Sequence, residues 1–145
     1  MRPYFDSGVI TKWYIPEPNT SAALALRDRF DPPAWLTSLH RIELTTAWRL
    51  KVFRKEVPAF TITGVLADFH ADVAQGIFIT PSVQDAEVAR LAEDLADQYS
   101  AVLGTRSLDI LHVAWALAAE STHFITGDER QARLAEAVRL PVVRL

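Results

Sequence analysis

The sequence contains no cysteine. Disulfides, thiolate zinc sites and cysteine nucleophiles are therefore excluded. No apolar run approaches the roughly 20 residues of a membrane helix, and no leader-like segment precedes the first strand-like run. A soluble cytoplasmic protein is expected. A basic excess is also lacking: the formal net charge is −3 and the pI is about 5.8. Charge alone gives no reason to invoke nucleic acid, so any such contact must rest on a local patch. Lysine is scarce, at Lys12, Lys51 and Lys55 only. Repeats, low-complexity tracts and breaks in composition are missing as well.

What remains is an ordinary globular balance. Of 145 residues, 50% are hydrophobic and 23% charged, enough for one domain over 1–145 with a real core. "PYFD" (3–6) reads as a short strand ended by Ser7-Gly8. "VITKWYI" (9–15) fits a helical turn or two, stopped by Pro16-Glu17-Pro18. Asn19, Thr20 or Ser21 can cap a helix running to about Phe30. "AWLTS" (34–38), "IFIT" (77–80), "HFIT" (123–126) and "VVRL" (142–145) read as further strands. Helices are expected at roughly 39–55, 59–75, 83–100, 107–119 and 129–138. Short apolar strands alternating with helices predict an α/β fold, with a mainly parallel sheet covered on both faces. Ligands in such folds collect at the carboxyl ends of the strands.

Four acids stand out against that frame. "SLDILHVAWALAA" (107–119) is apolar nearly all round, yet carries Asp109, with His112 three residues later. Burying a lone carboxylate is expensive unless something pairs with it. A place in the first turn after an N-cap at Ser107 gives Asp109 only the ~0.3–1 kcal/mol of the helix dipole. His112 fits a satisfied core histidine more often than a ligand. Asp6 ends the first strand and can cap the next turn. Glu43 shares a helix face with Leu39, Ala47 and Leu50, and can reach water from an apolar stem. Asp128 has capping-box spacing to Gln131. Asp6, Asp109 and Asp128 all fall at the expected rim of the sheet or at the start of a covering helix. Carboxylates converging there would raise one another's pKa values. A shared divalent cation removes the conflict, and an all-oxygen set suits Mg²⁺ or Mn²⁺ rather than zinc.

The blocks "YFDSGVITKWYIPEP", "LTSLHRIELTTAWRL", "LGTRSLDILHVAWALA" and "FITGDERQARLAEA" together resemble the signature of PIN-domain ribonucleases, in particular VapC-type toxins of bacterial toxin–antitoxin pairs. The resemblance spans nearly the whole chain. It implies a three-layer α/β/α PIN-like domain with catalytic acids Asp6, Glu43, Asp109 and Asp128. Asp6 and Asp109 would be the direct ligands of Mg²⁺ or Mn²⁺. Ser7, Thr126, Arg106 and Arg130 would support them. The implied activity is metal-dependent hydrolysis of RNA phosphodiesters. The implied partners are RNA, a cognate antitoxin and a second copy in a homodimer, with no membrane. Gly8 stands where such proteins more often have Ser or another small residue.

Arg49, Lys51, Arg54 and Lys55 could touch RNA, although cations near a helix C-terminus also complement its dipole. Trp13, Tyr14, Trp35 and Trp48 are candidate interface anchors. Two other readings stay open. One is an acidic-pocket, Mg²⁺-dependent phosphotransfer or phosphatase domain, although no lysine follows "HFITGD". The other is a non-catalytic module that recruits a basic peptide.

Overall fold

The computed structural model describes residues 2–145. Its elements follow the order β1 (Tyr4–Phe5), α1 (Ser7–Thr11), α2 (Thr20–Phe30), β2 (Ala34–Trp35), α3 (Ser38–Phe53), α4 (Ala59–Ala74), β3 (Phe78–Ile79), α5 (Asp85–Leu103), α6 (Ser107–Ala118), β4 (Phe124–Thr126), α7 (Glu129–Ala137) and β5 (Val142–Arg144). No helix among the described residues is long and apolar enough to cross a membrane.

Every strand pairing is parallel: β1 with β4, β4 with β5, and β2 with β3. The strands form two ladders, β1-β4-β5 and β2-β3, where the sequence predicts one sheet. A contact from another element occupies the open edge of β1. The carbonyl of Phe5, which could have faced β2, is taken by the imidazole of His40 at 2.8 Å from Nε2. His40 Nδ1 lies 3.1 Å from the Thr37 backbone N–H, which donates to it. The ring therefore carries its proton on Nε2. Burial, with His112 nearby, lowers its pKa to about 3, so it stays neutral as a structural bridge.

Alternation along the strands divides the interior. Tyr4 and Phe124 enter one core, with Val88, Leu95, Ile110, Val113, Trp115 and Leu134 from α5, α6 and α7. Phe5 and Ile125 enter the other, with Val9, Ile10, Leu44, Trp48, Ile62 and Phe69 from α1, α3 and α4. Helices thus cover both faces of the strands, which is the three-layer α/β/α arrangement. α6 is apolar all round because it is buried nearly all round, from Asp109 to Ala116.

Two local predictions change. Helix α1 starts at Ser7 rather than Val9, because Asp6 Oδ1 accepts the Val9 N–H at 2.7 Å and caps it. Trp48 is no interface anchor: it is fully buried, with Tyr14 and Phe69 edge-on to its ring. Trp13, Tyr14 and Trp35 are half-buried. The large exposed apolar side chains are instead Ile42, Phe53, Phe60, Val102 and Leu108, with Leu50 at the margin.

Candidate active site

The end of β1 delivers Asp6 to the rim, and its neighbours gather around a polar cavity of about 370 Å³. Asp6, Ser7, Lys12, Glu43, His112 and Asp128 line it, with Gly8, Gly127 and Gln131. Asp6 is 4% exposed. Its Oδ2 accepts a short hydrogen bond from the Thr126 hydroxyl. Thr126 Oγ1 in turn accepts the Asp128 N–H at 2.9 Å. Burial raises the pKa of Asp6. The His112 charge, the Thr126 hydroxyl and the Val9 N–H pull it back, and the charge of Asp128 adds to the rise. Asp6 and Asp128 are thus close enough to repel. A Cβ at Gly8 would stand 3.4 Å from Asp6 Oδ1, so this position passes directly over the carboxylate.

Asp128 is the N-cap of α7. Its Oδ1 accepts from Arg130 N at 2.8 Å and Gln131 N at 3.2 Å. The capping box is only half made, because the Gln131 side chain turns to Thr126 at 3.3 Å instead of returning to Asp128 N. The Thr126 hydroxyl has one proton and Asp6 takes it, so Thr126 ties three site residues together.

Glu43, on the cavity-facing side of α3, is half-buried. Its Oε2 accepts from Ser7 Oγ at 2.7 Å and lies 2.5 Å from His112 Nε2. Burial alone would raise its pKa. The His112 hydrogen bond and charge, with Ser7, outweigh that, and the pKa falls below the ordinary value. His112 is 1% exposed, and its Nδ1 lies 2.9 Å from Tyr4 Oη. Burial drives the Tyr4 pKa well up, so the phenol keeps its proton and its oxygen anchors the Nδ1 side of the ring. Nε2–H then points at Glu43. His112 is a satisfied interior histidine and also the residue that orients the glutamate. Only its burial was legible in the sequence, because its partners lie 69 and 108 residues away.

Asp109 behaves differently from the expectation that it shares an ion with Asp6. It is 4% exposed but does not line the cavity. Its Oδ2 accepts the Arg106 N–H at 3.0 Å and stands 3.7 Å from the Arg106 guanidine Nε. The physical reason is capping: Arg106, not Ser107, occupies the N-cap of α6, and Asp109 reaches back one turn to its free N–H. Among the described residues, no three acidic or histidine side chains are already gathered at metal-ligand distance.

The donor set nonetheless suits a hard cation in kind. Asp6, Glu43 and Asp128 present only oxygen to one cavity, and burial, with a smaller push from the Asp128 charge, raises the pKa of Asp6. Arg106 and Arg130 carry largely exposed side chains. Lys51 is paired with Glu17 and Glu56, which removes it from the free basic patch expected at 49–55. Arg49, Arg54 and Lys55 are exposed.

No family model matches the chain, and no curated protein does. Among solved structures it is similar to FitAcB from Neisseria gonorrhoeae, with a TM-score of 0.67 and 20% identity. The match covers 97% of this chain and 96% of that one. At that identity the likeness speaks for the fold, and the fold of this chain is PIN-like.

Proposed function

We propose that this chain is a Mg²⁺- or Mn²⁺-dependent endoribonuclease of the VapC type, the toxin of a toxin–antitoxin pair, folded as one PIN-like domain over 1–145. One observation carries the reading: Asp6, Glu43 and Asp128, far apart in sequence, share one polar cavity at the strand ends. The fold shared with FitAcB supports it. The cognate antitoxin, RNA and a second copy of the chain are the proposed partners.

Asp6, with Asp109, Glu43 and Asp128, would hold the cation; for Asp109 the ion competes with Arg106. When bound, the ion supplies Lewis acidity toward the phosphate and acidifies a water. The protein groups do the rest. Glu43 has a lowered pKa, is ionised at neutral pH and can take a proton from the attacking water. His112 and Ser7 fix the direction of its Oε2. Thr126 holds the Asp6 carboxylate against the Asp128 turn. Water attacks the phosphorus, the P–O bond to the leaving ribose oxygen breaks, and that oxygen takes a proton from solvent while Glu43 holds the one from the attacking water.

The test is cleavage of single-stranded RNA with Mn²⁺, with chelator, and by Asp6→Asn and Asp109→Asn variants that still fold. Loss of cleavage in all three cases is expected. Cleavage persisting in folded Asp6→Asn would rule the assignment out. Persistence in Asp109→Asn alone would reduce that residue to a helix cap.

A further inference from the structure

The cavity that gathers the acids contains one Lys or Arg side chain in its lining, Lys12 at the C-cap of α1. A lysine beside three carboxylates ought to fall onto them and neutralise them. Lys12 does not. Its Nζ is 3.0 Å from Glu17 Oε2, while Lys51 of α3 grips the other oxygen, Glu17 Oε1, at 3.1 Å. Both lysine side chains and that of Glu17 are 20% exposed, so the triad is partly shielded from solvent. Burial pushes Glu17 up, but hydrogen bonds from both lysines outweigh it and its pKa is lowered. With Glu56 3.4 Å from Lys51, the two lysines and two glutamates balance, and Lys12 is the ammonium of the group that lines the acidic cavity. Lys12 also lines the adjoining apolar groove with Ile42 and Leu108. It therefore borders both the acidic cavity and the groove beside it.

We propose that Lys12 is the residue that contacts an RNA phosphate next to the scissile one. Glu17, anchored by Lys51, is the clamp that keeps the Lys12 ammonium off Asp6, Glu43 and Asp128. This rests on the nuclease reading, and it adds a substrate contact and a positioning pair outside the acidic set. The ammonium contributes a point charge with three donors, suited to a phosphate oxygen. An anionic chain approaching carboxylates needs such a cation, and the clamp stops that cation from occupying the metal's place.

The test uses full-length protein, single-stranded RNA and Mn²⁺. Lys12→Met keeps the stem and removes the charge. It should raise KM about tenfold with kcat within about twofold. The slope of log(kcat/KM) against log salt should become shallower by about 0.7, the value of one single-strand phosphate contact. Lys12→Arg should restore the slope. Glu17→Gln should weaken Mn²⁺ binding, read from the Mn²⁺-dependent rise in Tm, and Lys12→Met combined with Glu17→Gln should restore it. Unchanged KM and salt slope in Lys12→Met, with wild type cleaving normally, would overturn the phosphate contact. Unchanged Mn²⁺ binding in Glu17→Gln would overturn the clamp. Wild type that shows neither a Mn²⁺ shift nor cleavage would instead bring down the nuclease reading itself, and this inference with it.

Discussion

Asp6 carries a conflict that a single substitution can resolve. Its carboxylate is buried, and its folded pKa is raised. Ionised Asp6 therefore penalises the fold, and the penalty appears as pH rises through the folded value. Asp6→Asn should stabilise the apo-protein at pH 7, seen as a rise in Tm. The gap to wild type should close as pH falls and Asp6 protonates. Thr126 can accommodate the amide, because its hydroxyl has Gln131 as a second neighbour. Thermal unfolding in chelator across pH checks this, and a variant less stable than wild type at pH 7 would contradict it. Glu43 has the opposite sign. Its folded pKa is lowered, so its stabilisation is present above the ordinary carboxylate range and is lost as pH falls through the folded value. Trp48 and Phe53 provide a second contrast on one helix. Trp48 is fully buried and Phe53 is 82% exposed. Trp48→Ala should cost about 3–5 kcal/mol, and Phe53→Ala within about 0.5 kcal/mol. Denaturant midpoints separate the two.

At the level of elements, what could be read depended on how local the cause was. Helices α3 to α7 follow from apolar spacing, and their ends from Pro58, Gly76 and Gly104. Gly104 takes φ +67 to close α5, a conformation costly for most side chains. The rim positions of Asp6 and Asp128 were legible because a strand end is a local feature. The break between the ladders was not, since it depends on His40 reaching Phe5 from 35 residues away. The Tyr4–His112–Glu43 connection was hidden for the same reason. Asp109 caps α6, and the proposed site asks it to serve the acidic set as well. Asp109→Ala should cost about 1 kcal/mol of stability from the lost cap alone, measurable by urea unfolding in chelator.

For the molecule as a whole, the acids at the rim and a net charge of −3 oppose an anionic substrate until a cation arrives. Adding Mn²⁺ should raise the Tm of wild type in proportion to the logarithm of its concentration once the site is half filled. The rise should vanish in Asp6→Asn. Calorimetric scans over a Mn²⁺ series give the result, and an equal rise in both proteins would locate the ion elsewhere.

β1 is only two residues long, yet Tyr4 is rooted in one half of the interior and Phe5 in the other. The following amide, Asp6 N–H, is bonded to Ile125 O at 2.9 Å. Neither half can loosen without tugging the same pair of peptide groups. The Asp6 carboxylate is therefore moored to both hulls at once, and deuterium should enter the Asp6 amide only when the entire chain comes apart.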